Sequence, residues 1–327
     1  GTYVLSEAAS CTYKRRPENF TATSTQIPLC LSSDLTIVGA GAAETIIDAN
    51  DAVRAVFVSS AATVELRDLT IQNGLGDRSF GLNPNGGNIN NHGTLTLTDV
   101  IVRGASLDPV ATLAGGAGIF NAEFATLTLV RTLVTQNFAP AHAGGGGLFN
   151  NLDGTVTISD STFHDNKIGV HGGAIYNNGG VMLISNSTIS GNEAITGNGG
   201  GIMNIGASID GTEFLAELTI TNSTISGNTG GSSGGGLYDH ARSVVHLNNV
   251  TITGNSAASR GGTGGGIATF TGNGVFLKNT VVAGNTDVLG PSEDCWALNQ
   301  PGSIALTSEG HNLIGHSTNC VLLGDAT

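Results

Sequence analysis

The chain has 327 residues, with 12 Lys and Arg against 25 Asp and Glu and a formal net charge of −13. Fifty glycines without a three-residue period, beside only 7 prolines, exclude a collagen-like chain and a Pro-rich linker. No basic cluster exceeds Lys14-Arg15-Arg16, which excludes a phosphate-neutralising nucleic-acid face, and no run of about 18 apolar residues offers a membrane-crossing helix.

In chain order, residues 1–33 are expected to cap the N-terminal end. DLTIVGAG (34–41), TIID (45–48) and VFV (56–58) read as the first one or two coils of a repeat array. An eight-residue phrase then recurs eight times without an internal gap: VELRDLTI (64–71), LTLTDVIV (95–102), LTLVRTLV (127–134), VTISDSTF (156–163), MLISNSTI (182–189), LTITNSTI (218–225), VHLNNVTI (245–252) and VFLKNTVV (275–282). A period near 30 that tolerates insertions between copies but none within them marks stacked structural repeats. Residues 286–327 are expected to cap the other end, because an open terminal coil would expose unpaired strand edges.

Within the phrase the first and third positions are apolar in every copy, and position two is mostly Thr. That alternation is a strand with one face in and one face out. The fifth position reads Asp68, Asp99, Arg131, Asp160, Asn186, Asn222, Asn249 and Asn279. Asn and Asp favour turns, so the phrase reads as strand, polar corner, strand. Three residues past it stands a second column, Asn137, Asn166, Asn192, Asn228, Asn255 and Asn285. Its stacked amides are expected to bond one another from coil to coil. The first two copies depart from it, with Asn73 one place early in the first and Gly104-Ala105 in its stead in the second. Each coil also carries a Gly-rich anchor, from GGNINN (86–91) to GGGIAT (264–269), whose apolar pair supplies a third strand after a sharp bend.

Three stacked strands per coil make an all-β, single-domain, right-handed parallel β-helix of pectate-lyase-like solenoid type. The reading gives roughly ten coils and three parallel sheets, with the solenoid over 34–285. Cys11 with Cys30 and Cys295 with Cys320 are expected as two disulfides closing loops of roughly 20 and 26 residues. That usage points to an oxidising compartment, and so to a secreted, extracellular or cell-surface protein.

GTYVLS (1–6), DLTIVGAGAAETIIDAN (34–50), ELRDLTIQNG (65–74), the FHDN and GGAIYN pair (163–166, 172–177) and DC…SEGHNLIG…C (294–320) resemble bacterial secreted right-handed parallel β-helix repeat proteins of the "choice-of-anchor Q" type. The FxxN and GGAI elements are similar to repeats of chlamydial polymorphic outer-membrane proteins. The resemblance implies secretion and surface display and no established reaction.

Parallel β-helices also carry polysaccharide lyases and hydrolases, which need a base beside carboxylates or two carboxylates at a set separation. The one constellation of that kind is Asp68, Asp99, Arg131 and Asp160, about 5 Å apart on successive coils. The same column continues as four asparagines with no chemistry attached, which favours a structural corner. His142, His164 and His171 lie in adjacent loops near Asp153 and Asp165 and are candidate contacts for a sugar or a metal; His311 reads as part of the cap. No metal-ligand spacing and no cofactor motif is present. Four sequons (Asn19, Asn186, Asn222 and Asn249) match by composition, three of them at the corner where Asn is needed anyway. A Thr column (Thr70, Thr162, Thr188, Thr224, Thr251) could order water or ice, but aliphatic residues interrupt it and Thr favours strands regardless. The sequence thus reads as a non-catalytic structural or adhesive rod whose partners are other copies or extracellular glycans, with a polysaccharide lyase or glycoside hydrolase as the alternative.

Overall fold

The computed structural model describes residues 2–4, 9–15, 20–27, 29–76, 85–108, 114–139, 141, 144–258, 263–270, 273–287, 294–297, 306–318, 320 and 322–325, with backbone alone before residue 29 and at 325. The described chain is all β and winds as a parallel solenoid. A ten-stranded sheet runs its length, from Leu29–Leu31 through Ile119–Asn121 and Ile175–Asn178 to Cys295–Ala297. Its ten strands are separated by nine turns, so the rod is about 45 Å long at about 4.8 Å per coil.

The two strands of each phrase belong to one 18-stranded sheet bent at the polar corner, rather than to two separate sheets. Register holds without slippage: Leu95 faces Leu127, Leu127 faces Val156 and Val156 faces Met182. The third sheet is one the sequence reading did not isolate. It consists of two-residue strands just past the Asn column, such as Phe138–Ala139, Lys167–Ile168 and Glu193–Ala194.

One continuous core fills the tube. Leu66, Leu97, Leu129, Ile158, Ile220 and Leu277 from the third phrase position meet Ile119, Leu148, Ile175 and Ile202 from the ten-stranded sheet. Phe163 is fully buried among them, one of few rings the narrow interior admits. The bend into seven of the ten strands of this sheet, from Ile89–Asn91 to Ile267–Phe270, passes through a left-handed glycine. At Gly172, φ is +65° and a Cβ would lie 2.3 Å from the Ile175 carbonyl oxygen, an impossible contact.

At the ends the ladders run past the expected solenoid boundaries. Thr2–Val4 pairs in parallel with Ile46–Asp48, and Ala9–Arg15 forms an antiparallel hairpin with Phe20–Ile27. Beyond residue 285, Leu306–Glu309 and Leu313–Ile314 still stack on the long sheet, and Leu322–Asp325 adds a last strand. The Cys295–Cys320 disulfide closes this end. Cys30 is disulfide-bonded; the side chain of Cys11 lies outside the described residues.

Candidate functional site

The corner column is set by backbone geometry. All eight residues are left-handed: Asp68 at φ 53°, Asp99 at 55°, Arg131 at 47°, Asp160 at 51°, Asn186, Asn222 and Asn279 at 49°, and Asn249 at 58°. Asn and Asp tolerate this region because their short side chains bond nearby backbone. That preference explains the column's composition and makes Arg131 its one departure from type.

Arg131 holds its place through Asp99 on the preceding coil. Its Nε donates to Asp99 Oδ1 and its Nη2 to Oδ2, both at 2.7 Å. The pair is bidentate and largely exposed. The hydrogen bond from Arg131 holds the Asp99 carboxyl below the usual carboxylate range, and the same bond raises the guanidinium further above its ordinary value. A guanidinium so held is a poor general base. Asp160 Oδ1 accepts from Asn186 Nδ2 at 3.3 Å, Asn186 Oδ1 from Asn222 Nδ2 at 3.3 Å, and Asn222 Oδ1 from Asn249 Nδ2 at 2.9 Å. The structure therefore lines Asp99, Arg131 and Asp160 along one edge as the sequence places them, and links the later members as an exposed amide ladder.

The candidate histidines occupy different parts of the coil. His164 ends a strand of the long sheet, with Nε2 2.9 Å from Asp165 Oδ2. His171 precedes a Gly bend, where its half-buried Nδ1 accepts from the Asn198 backbone N–H at 3.1 Å. Burial, with a smaller push from His240, lowers its pKa and favours the neutral ring. His142 lies outside the described residues. Asp153 and His311 are both left-handed turn residues. Among the described residues no three His, Cys, Asp or Glu side chains are grouped to hold a metal ion.

Two fully buried ladders run inside the corners. The expected one is present: Nδ2 of each Asn donates to Oδ1 of the next from Asn137 through Asn166, Asn192, Asn228 and Asn255 to Asn285, at 2.9–3.0 Å. It extends beyond the sequence reading at both ends. The ladder positions of the first two phrases are Gly74 and Ala105, and Asn88 supplies the amide they lack, its Oδ1 accepting from the Gly74 backbone N–H at 2.8 Å and its Nδ2 3.4 Å from Asn137 Oδ1. Asp294 ends the series, its Oδ1 accepting from Asn285 Nδ2 at 2.9 Å and its Oδ2 from the His316 backbone at 2.7 Å.

The second ladder was not read from sequence. It runs Asn91, Asn121, Asn150, Asn177 and Asn204 at 2.8–2.9 Å and ends on Asp239 at 3.0 Å. Its members stand two residues after the Ile or Leu of each Gly-rich anchor, a fixed offset that would have revealed them. Each ladder donates in one direction and terminates on a carboxylate, which only accepts when ionised. Burial pushes the Asp239 carboxyl up to about 7 against the hydrogen bonds from Ser243, Asn204 and Thr269. Arg54 was also missed: fully buried, it donates to the carbonyls of Gly86 and Asn85 at 2.8 Å.

No curated protein sequence matches the chain. Among solved structures it is similar to the A-modules of two Azotobacter vinelandii mannuronan C-5 epimerases, AlgE6 (15% identity, 91% of this chain and 89% of that one, TM-score 0.35) and AlgE4 (13%, 91% and 88%, TM-score 0.36). It is also similar to the Dettilon tailspike protein gp208, at 10% identity over 92% of this chain and 61% of that one, TM-score 0.30. A family model described as a right handed beta helix region matches residues 54–286, well over half of the chain, and the protein belongs to that family.

Proposed function

We propose that this protein is a secreted, cell-surface β-helix that acts as a structural or adhesive rod without catalysis, its flanks contacting extracellular glycans or other copies of itself. The observation that carries the reading is the state of the corner column. Arg131, the one candidate base, is held in a bidentate pair with Asp99. Asp160 is the first rung of an amide ladder that repeats over later coils. The left-handed corner shared by all eight phrases is what a rigid spacer requires, since identical coils stack and each is held by its neighbours. The cysteine usage and the resemblance to secreted repeat proteins support the compartment.

The experiment is a glycan array probed with the full chain, together with electron microscopy of native material. Saturable glycan binding or ordered assemblies support the proposal. A strictly monomeric protein that binds no glycan counts against it. Turnover of a polysaccharide would replace it with the lyase or hydrolase reading centred on Asp99, Arg131 and Asp160.

A further inference from the structure

The outward face of the long sheet carries a feature that the rod reading does not use. Thr94, Thr126 and Thr155 stand in register on three successive coils, and so do Thr96, Thr128 and Thr157. The residues between them, such as Leu95, Leu127 and Val156, are fully buried, so both threonine columns point away from the core. Thr94 and Thr155 are exposed and the other four are half-buried. The next column adds Thr98, Val130 and Ser159, and the fourth coil adds Val181 and Leu183, which are 37% and 47% exposed.

On the stretches of these four coils that precede the polar corner, residues 94–98, Thr126–Val130, Thr155–Ser159 and Val181–Ser185, no outward position is charged, in a chain of net charge −13; the first outward charge past the corner is Arg103. Charges frame the plate instead. Glu65 faces Thr96 from the coil before, and Glu217 faces Val181 from the coil after. The Asp99–Arg131 pair and Asp160 lie along one edge. Strand propensity accounts for threonine in a strand. It does not account for the absence of Lys, Glu and Arg from a solvated face that would accept them.

The geometry narrows the occupant. Coils repeat about 4.8 Å apart along the rod, and alternate residues about 6.7 Å apart across it. The plate is therefore a two-dimensional lattice of hydroxyl and methyl groups covering roughly 400 Å². That is about half of the roughly 800 Å² per partner of a stable protein interface. None of its residues carries an aromatic ring, a usual means of holding a soluble ligand. It has no charge to hold an ion. Threonine side chains are stiff at χ1 and sit on a backbone locked by neighbouring coils, so little freedom remains to be lost on contact. The surface it matches is itself flat, periodic and uncharged. Both repeats are of the order of the oxygen spacings in the surface planes of hexagonal ice.

We propose that this threonine plate binds ice, its methyls and hydroxyls ordering a water layer that joins the crystal face. The inference goes beyond the rod reading and stands or falls independently of it. The test is the gap between melting and freezing points of the purified full chain, with the shape of ice crystals grown in its presence. Wild type is compared with Thr128→Lys at the plate centre and with Thr224→Lys on another outward column. The proposal requires faceted crystals and a non-colligative gap in wild type and Thr224→Lys, and at least a tenfold smaller gap in Thr128→Lys with an unchanged thermal melt. Thr157→Arg serves as the second plate variant if Thr128→Lys does not fold. Round crystals without a gap in wild type overturn the proposal, as does a gap that survives the plate variants. Sedimentation of wild type with crystalline cellulose or chitin in the absence of any gap also overturns it, in favour of a solid polysaccharide.

Discussion

Arg131 clasps Asp99 across two successive coils, Nε to Oδ1 and Nη2 to Oδ2, each at 2.7 Å. The arrangement reconciles two conflicting demands on one position. The corner requires a left-handed backbone, which Arg adopts poorly, and Asp99 on the coil below supplies a charge that holds the guanidinium in place. Replacing Arg131 with Asn restores the residue type of the column while removing the ion pair. We expect Arg131→Asn to fold normally, with a thermal midpoint close to wild type and a weaker dependence on salt, because exposed ion pairs are screened. Thermal melts at low and high ionic strength check this.

The interior ladder behaves differently. Asn192 Oδ1 accepts from both the backbone N–H and the side-chain amide of Asn166, at 2.9 and 3.0 Å. Asn192→Ala leaves the buried Asn166 backbone N–H, and the one side-chain amide hydrogen not directed at the Val134 carbonyl, without their acceptor, at about 1–3 kcal/mol each. A loss of about 2–5 kcal/mol in urea unfolding is expected. Asn222→Gly at the exposed corner keeps a left-handed-compatible residue and should stay within about 0.5 kcal/mol of wild type.

Asp239 gives the protein a pH dependence of definite sign. Its carboxyl, fully buried at the end of the second ladder, is pushed from 3.8 up to about 7. A group with a raised folded-state value favours the native state most when protonated. Its contribution is therefore complete below about pH 3.8 and is lost as pH rises through about 7. Asp48 and Asp99, both lowered in the folded state, act in the opposite sense below pH 3.8, so the comparison must be differential. Wild type should lose stability between pH 5 and pH 8 relative to Asp239→Asn, whose midpoint should be flat over that interval. Equal pH slopes in the two proteins would contradict the assignment.

The C-terminal end is secured by Cys295 and Cys320, with Cys295 fully buried in the core. Replacing both with Ala should cost about 3 kcal/mol. The loss should begin at the C-terminal strands, because solenoid coils are stabilised by nearest neighbours. Hydrogen exchange should show Leu306–Glu309 losing protection before strands near residue 129.

How much of this could be read from the chain depended on whether a feature repeated. The apolar first and third phrase positions encode strand alternation directly, and the six-residue column beginning at Asn137 encodes its ladder. The second ladder was equally periodic but hidden at the ends of Gly-rich segments, where the glycines drew the reading. The two-residue strands of the third sheet have too little length to show a period. Asn88, Asp294 and Arg54 act once each, and a residue that acts once leaves no pattern in a single sequence. Thr70, counted with an outward column, is instead 1% exposed and donates to the Ala42 carbonyl at 2.7 Å. The irregular first coils fold back over it, which no repeat pattern could indicate.

A non-catalytic rod requires the corner column to be structural. The most direct measurement incubates the full chain and Arg131→Ala with panels of anionic and neutral polysaccharides, reading unsaturated products by absorbance and new reducing ends by colorimetry. We expect both proteins to match the blank on every substrate. Turnover by wild type that disappears in Arg131→Ala would contradict the account and make Asp99, Arg131 and Asp160 an active site.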